Sequence, residues 1–171
     1  MIKTIKIPNE RLAIIIGTKG STKRQIQRKT KTKILVDEEV TIEGESLDIL
    51  NAENVIKAIG RGFAPEIALL LLIEDNTLSI IDLPKNARTM KRIKSRLIGT
   101  NGKSRRNLER LTRTYISVYG KTVAIIGKYD NVALAESSVN KIIKGISHRS
   151  VYQFLEAKQS ELGQDSSQEN G

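Results

Sequence analysis

The chain opens on Ile2, Ile5 and Ile7 in a short segment that Pro8 closes, a pattern that predicts a strand. Asn9 then offers an N-cap for a helix through Ile16, and Gly17 to Gly20 interrupts the helical periodicity. A second helix over 21–30, strands over 32–36 and 40–42 and a helix over 46–61 complete a β-α-α-β-β-α order. The same order returns downstream, with a strand over 78–83, helices over 86–98 and 103–113, strands over 114–119 and 122–126, and a helix over 130–144. Between the two runs, Pro65 at a helix N1 position, Glu66 and the apolar stretch from Ile67 to Ile73 predict an additional apolar helix joining the halves. From about Ser160 onward too few apolar residues remain to fold, which predicts a disordered tail. The expectation is an α+β protein with domains at 1–62 and 77–160, a helical linker at 63–76 and a tail at 161–171.

The two runs are copies. A shift of 82 residues places Ile16-Gly17-Thr18-Lys19-Gly20 over Ile98-Gly99-Thr100-Asn101-Gly102, and ten of the 21 positions in 16–36 are then identical. One extra residue later, the match resumes with Gly44 over Gly127 and Ala52-Glu53 over Ala135-Glu136. A repeat of this length is a duplicated domain rather than a solenoid unit.

Composition narrows the chemistry. The 171 residues are 39% hydrophobic and 28% charged, and the longest apolar stretch falls far short of the ~20 residues that span a bilayer. The N-terminus lacks the apolar core of a signal peptide, so a cytoplasmic protein without a membrane partner is expected. With no cysteine and one histidine, disulfides, thiolate metal sites and multi-histidine metal sites are excluded, and no cofactor is expected. The formal charge of +10 is unevenly spread: residues 1–33 carry +9, residues 86–121 carry +10 and the remainder −9. Two basic segments in an acidic remainder suit a polyanion, whose binding is driven by release of counterions from phosphates.

Enzyme motifs fail on inspection. Gly102-Lys103-Ser104 looks like the end of a phosphate-binding P-loop, but Leu97 stands where that motif needs glycine. His148 has no relay partner in the sequence and reads as a surface residue after the last helix; Asp37, Glu38 and Glu39 read as a solvated turn rather than a metal site. No catalytic or metal-ligating residue is assigned, and a non-enzymatic protein is expected.

Ile-Gly-x-x-Gly followed by a basic amphipathic helix and Thr-x-x-x-Ile, present in both copies, resembles the KH RNA-binding domain in its eukaryotic-type (type I) topology over about 2–162. The tandem is similar to archaeal members of the two-KH ribosome-assembly family known as partner of Nob, in particular through Gly62-Phe63-Ala64-Pro65-Glu66-Ile67. That resemblance implies binding of the 3′ end of small-subunit rRNA during maturation, beside the endonuclease that trims it. A KH-type regulator of mRNA or translation initiation, working with translation factors, or a protein adaptor using the basic face, is the alternative.

The loop chemistry stands without the family. Two glycines let the chain turn sharply and let phosphates approach the backbone, where the N–H groups and positive dipole end of the next helix face the anion. Gly17, Gly20, Gly99 and Gly102 are therefore the expected clamps on single-stranded RNA, with Thr18, Lys19, Thr100 and Asn101 at the loop tips. Lys23, Arg24 and Arg28, and Lys103, Arg105, Arg106 and Arg110, are expected to flank the strand. In KH domains an aliphatic residue normally stands where this chain has Lys23 and Arg105, which implies a more polar groove. Tyr115, opening a strand, is the aromatic best placed to stack on a base, and the richer charge around the second loop makes that loop the expected primary site.

Overall fold

A computed structural model describes the backbone of residues 1–169 and the side chains of residues 1–161. It divides into two compact units, Met1–Leu78 and Ser79–Gly171. In the first, β1 (Ile2–Ile5), α1 (Asn9–Ile16), α2 (Ser21–Thr30), β2 (Lys33–Val36), β3 (Val40–Glu43) and α3 (Ser46–Gly60) follow in the expected order. Next come α4 (Pro65–Ala68) and a 3₁₀ turn (Leu69–Leu72). β4 (Asn76–Asp82), α5 (Ala87–Ile98), α6 (Lys103–Thr112), β5 (Tyr115–Tyr119), β6 (Thr122–Lys128) and α7 (Tyr129–Ile143) repeat the scheme, and α8 (His148–Glu169) follows. The strand orders β1-β3-β2 and β4-β6-β5 are the same topology twice. The linker helix is shorter than expected, one α-turn running into the 3₁₀ turn, and both pack on α3. The tail expected at 161–171 lies beyond the described side chains apart from Glu161, and its last two residues lie outside the described residues.

Register follows from which face each strand buries. Ile5 pairs with Val40 and Val40 with Val36, while Ile42 pairs with Ile34, so these side chains share the face covered by the helices. In the second unit Ile116 and Val123, with Ile93, Leu97, Leu108, Val139 and Ile142, build the corresponding core.

Both copies use the same local devices. Thr30 Oγ1 donates to Ile26 O (2.7 Å) and shares a hydrogen bond with Thr32 Oγ1; Thr112 repeats this with Leu108 O (2.6 Å) and Thr114. The threonines end α2 and α6 by tying the last turn to the chain that leaves it. Gln27 Oε1 accepts from Ile34 N at 2.8 Å and Glu109 Oε2 from Ile116 N at 2.9 Å, bridging each helix to its edge strand.

Three expectations need correction. The helix of the first copy starts at Asn9 itself, with Pro8 in the cap position and no side-chain cap, whereas Asn86 caps α5 as its sequence suggests by accepting from Thr89 N (3.0 Å). His148 is not a free surface residue after the last helix: it opens α8, and its Nε2 donates to Arg96 O at 2.8 Å. α8 itself was hidden because only two of its described side chains, Val151 and Leu155, one turn apart, are fully buried, with Tyr152 and Phe154 partly buried against the same core. Gln159 Nε2 adds a hydrogen bond to Leu111 O, and Lys141 Nζ lies 3.0 Å from the centre of the Phe154 ring.

Glu53, buried on α3, accepts from Lys57 Nζ at 2.7 Å and has Lys3 Nζ at 3.6 Å. The hydrogen bond from Lys57, aided by both lysine charges, holds its carboxyl below the ordinary carboxylate value against the opposing effect of burial. Because the folded pKa is the lower one, this stabilisation is present above the unfolded value and is lost as pH falls through the folded one. Glu53→Gln is expected to lower the melting temperature at neutral pH and to flatten its fall between about pH 5 and pH 3, read from thermal melts across that range.

Candidate nucleic-acid interface

The two glycine loops adopt one conformation. Gly17 (φ 73°, ψ 177°) and Gly99 (φ 72°, ψ 176°) sit in a region of backbone space that is essentially glycine-only. Packing repeats the requirement: a Cβ on Gly17 would lie 2.3 Å from Thr22 Oγ1, and one on Gly99 would lie 2.8 Å from Ser104 N. Gly20 and Gly102 are left-handed at φ 76° and 75°, as are Lys19 and Asn101 between the glycines at φ 54°. Asparagine tolerates this conformation better than lysine, so Asn101 gives up a charge but relieves strain that Lys19 carries. After each loop, α2 and α6 begin on N–H groups with no side-chain cap, leaving their positive ends open toward a phosphate.

The expected flanking residues divide into two groups. Arg24 Nη1 donates to Lys19 O and Arg106 Nη1 to Asn101 O, both at 2.7 Å, so these arginines fasten their own loop while remaining exposed. Arg105 Nη1 sits 2.7 Å from Glu109 Oε1, which neutralises much of its charge. Lys103, Arg28 and Arg110 are exposed, Lys23 is half-buried, and none of the four has a partner among the described residues. Arg11 and Arg96 look like RNA-facing charge in the sequence but serve the fold. Arg11 donates to Ile59 O (2.8 Å) and Phe63 O (2.9 Å), and Arg96 to Ile142 O (2.5 Å) and Ile146 O (2.7 Å), so each holds the end of the long helix of its own domain.

Beside the second loop a cleft of about 770 Å³ runs along α5, with Gly99 and Thr100 at one end and Met90 and Ile98 on its wall. Lys85, Lys91, Lys94 and Lys121 surround it, and Lys94 Nζ tethers the β5–β6 turn through Gly120 O at 2.9 Å. Sequence reasoning counted three of these lysines as charge and assigned none to the site, because they come from separated segments. Their one sequence trace is the spacing of Met90, Lys91, Lys94, Ser95 and Ile98 down one face of a helix. Among the described residues no cluster suits a metal ion, and no helix is long and apolar enough to cross a membrane.

A family model described as the eukaryotic-type KH domain (KH-domain type I) matches residues 76–160, and one described as the KH domain matches residues 2–58. A KH domain-containing protein of Methanocaldococcus jannaschii is 39% identical over 171 residues, covering 94% of this chain and 75% of that protein. The RNA-binding protein pno1 of Drosophila melanogaster is 30% identical over 135 residues, 74% of this chain and 56% of its own length. Dim2p of Pyrococcus horikoshii, in the structure of an a/eIF2alpha-aDim2p-rRNA complex, superposes with a TM-score of 0.88 at 39% identity, covering 94% of this chain and 95% of that one. The chain belongs to the Dim2/Pno1 family, the partner of Nob group. Its two-domain order and type I topology are those of tandem KH proteins.

Within this Dim2/Pno1 chain the duplicated domains have diverged around an unchanged loop. Where the second domain has Met90, Lys91, Lys94 and Lys121, the first has Pro8, Asn9, Leu12 and Glu38, and its β2–β3 turn is the exposed run Asp37-Glu38-Glu39. That run is a solvated turn, as its sequence suggests. Its Glu38 stands where the second copy has Lys121, one of the lysines around the cleft.

Proposed function

We propose that the protein is a non-enzymatic, single-stranded RNA-binding factor of small-subunit ribosome assembly, acting in the cytoplasm. Its ligand is the 3′ end of small-subunit rRNA, and its second domain is the principal site. Gly99 and Gly102 clamp phosphates against the start of α6, and the bases lie in the lysine-rimmed cleft along α5. The observation that carries this reading is the contrast between two loops of the same geometry: four lysines surround the cleft beside the second, whereas the positions matching Lys91, Lys94 and Lys121 are Asn9, Leu12 and Glu38 in the first copy. Phosphate attraction is additive over nearby charges, so equal loops set among different side chains differ in affinity.

The family supports the ligand class, as does the rRNA in the complex of the Pyrococcus relative. The rRNA-trimming endonuclease is the expected neighbour at a 3′ end. A second reading, a role at translation initiation, is favoured by one observation: that same complex contains a/eIF2alpha. Crosslinking the protein in archaeal cell extract and sequencing the attached RNA separates them. Reads concentrated at the rRNA 3′ end support assembly, and reads spread over messenger leaders support regulation.

A further inference from the structure

Along α6, Arg106, Arg110 and Arg113 recur at helical spacing and line a second cleft of about 550 Å³ with Glu109, Thr114 and Tyr115. Its size is within the ~300–1,000 Å³ range of small-ligand clefts. Arg110 and Arg113 are exposed and have no hydrogen-bond or ion-pair partner among the described residues. The one carboxylate here, Glu109, is already committed, with Oε1 to Arg105 and Oε2 to Ile116 N. Thr114 spends its hydroxyl on Thr112. What remains available is guanidinium charge and the phenol ring of Tyr115, which is 45% exposed at the start of an edge strand.

The first domain repeats the positive strip as Arg24, Arg28 and Lys31 but has Lys33 where the second has Tyr115. The charge is therefore common to both copies, and the aromatic is special to the copy with the basic cleft. Basic strips that track a backbone, combined with an exposed aromatic ring, are how proteins hold unpaired nucleotides, and guanidinium planes stack on bases as well.

We propose that this cleft is a stacking subsite for one unpaired base of the RNA strand, beyond the nucleotides held by the glycine loop. The base lies on Tyr115, and Arg110 and Arg113 hold its flanking phosphates. The proposal rests on the RNA-binding reading above and extends it to a second cleft of the domain.

The test uses the full chain and two single strands with the sequence of the small-subunit rRNA 3′ end. One has about four nucleotides, the length a KH loop groove holds, and the other about twice that length, with 2-aminopurine at successive flanking positions. The wild-type protein is expected to quench 2-aminopurine at one flanking position. Tyr115→Ala is expected to abolish that quenching and weaken the longer strand by about 5- to 30-fold while leaving the shorter one unchanged. Tyr115→Trp is expected to retain both properties. Absence of quenching in the wild type, unchanged affinity of Tyr115→Ala for the longer strand, or proportional losses for both strands overturns the subsite. Failure of the wild type to bind either strand overturns the RNA reading itself, and the subsite with it.

Discussion

Thr100→Asp combined with Asn101→Asp is expected to weaken single-stranded RNA binding by about 100-fold or more and to leave the melting temperature within a few degrees of wild type. Thr100 and Asn101 are exposed at the tip of the second loop, so neither change disturbs a packed contact, and aspartate tolerates the left-handed backbone that Asn101 adopts. The loss is electrostatic. Each new carboxylate near a bound phosphate costs about 1–3 kcal/mol at the effective dielectric of a protein surface. The same pair of changes at Thr18 and Lys19 is expected to cost less RNA affinity, because the proposed principal site is the second domain, and the first copy lacks the lysines matching Lys91, Lys94 and Lys121. Equal losses at the two loops, measured by titration of the folded variants, would contradict the ranking of the domains.

The largest effect on stability is expected at the first glycine of each loop and not at the second. Gly99→Ala must hold alanine at φ 72°, ψ 176° and place a Cβ 2.8 Å from the Ser104 backbone nitrogen. The conformation alone costs about 1–3 kcal/mol, and the neighbouring atom is backbone and does not swing aside. A loss of about 3 kcal/mol corresponds to a fall of more than about 10 °C in the melting temperature of a domain this size. Gly102→Asn is expected to cost only about 1 kcal/mol. Its φ of 75° and ψ of 14° suit asparagine, and the nearest atom to its Cβ position is the end of the Arg106 side chain at 3.2 Å. RNA affinity should follow the same asymmetry, with Gly99→Ala losing the phosphate clamp. Equal melting temperatures for the two variants would refute the structural account of the motif.

Much of this architecture is legible in the sequence because the duplication repeats its constraints. Gly17 and Gly99, Thr30 and Thr112, and Thr32 and Thr114 each occupy positions where backbone geometry or a local hydrogen bond admits few residue types, so they stand out when the copies are aligned. Direction is what the sequence withholds. Arg11, Arg28, Arg96 and Arg110 look alike as charges, yet Arg11 and Arg96 turn inward to helix-end carbonyls while Arg28 and Arg110 stay exposed. The two inward arginines are not even at equivalent positions. Ile93 replaces Arg11, and Arg96 reaches the matching carbonyls from almost one turn further along. The cleft lysines escaped notice for a related reason, since Lys85, Lys94 and Lys121 meet only after β5, β6 and α5 pack. α8 was missed because it is held by docking a few side chains, chiefly Val151 and Leu155, on α6 and α7, which no local periodicity reports.

The most direct measurement of the central claim is a competition titration between the small-subunit rRNA 3′ end and a scrambled strand of equal length, at low and at high ionic strength. Phosphate contacts alone make log affinity fall with log salt at about −0.7 per phosphate neutralised and treat all single strands alike. The proposed base contacts in the α5 cleft would add a preference that survives salt. The account predicts steep salt dependence for both strands with an advantage for the rRNA 3′ end that persists at high salt. Equal competition by the scrambled strand at both ionic strengths would contradict it.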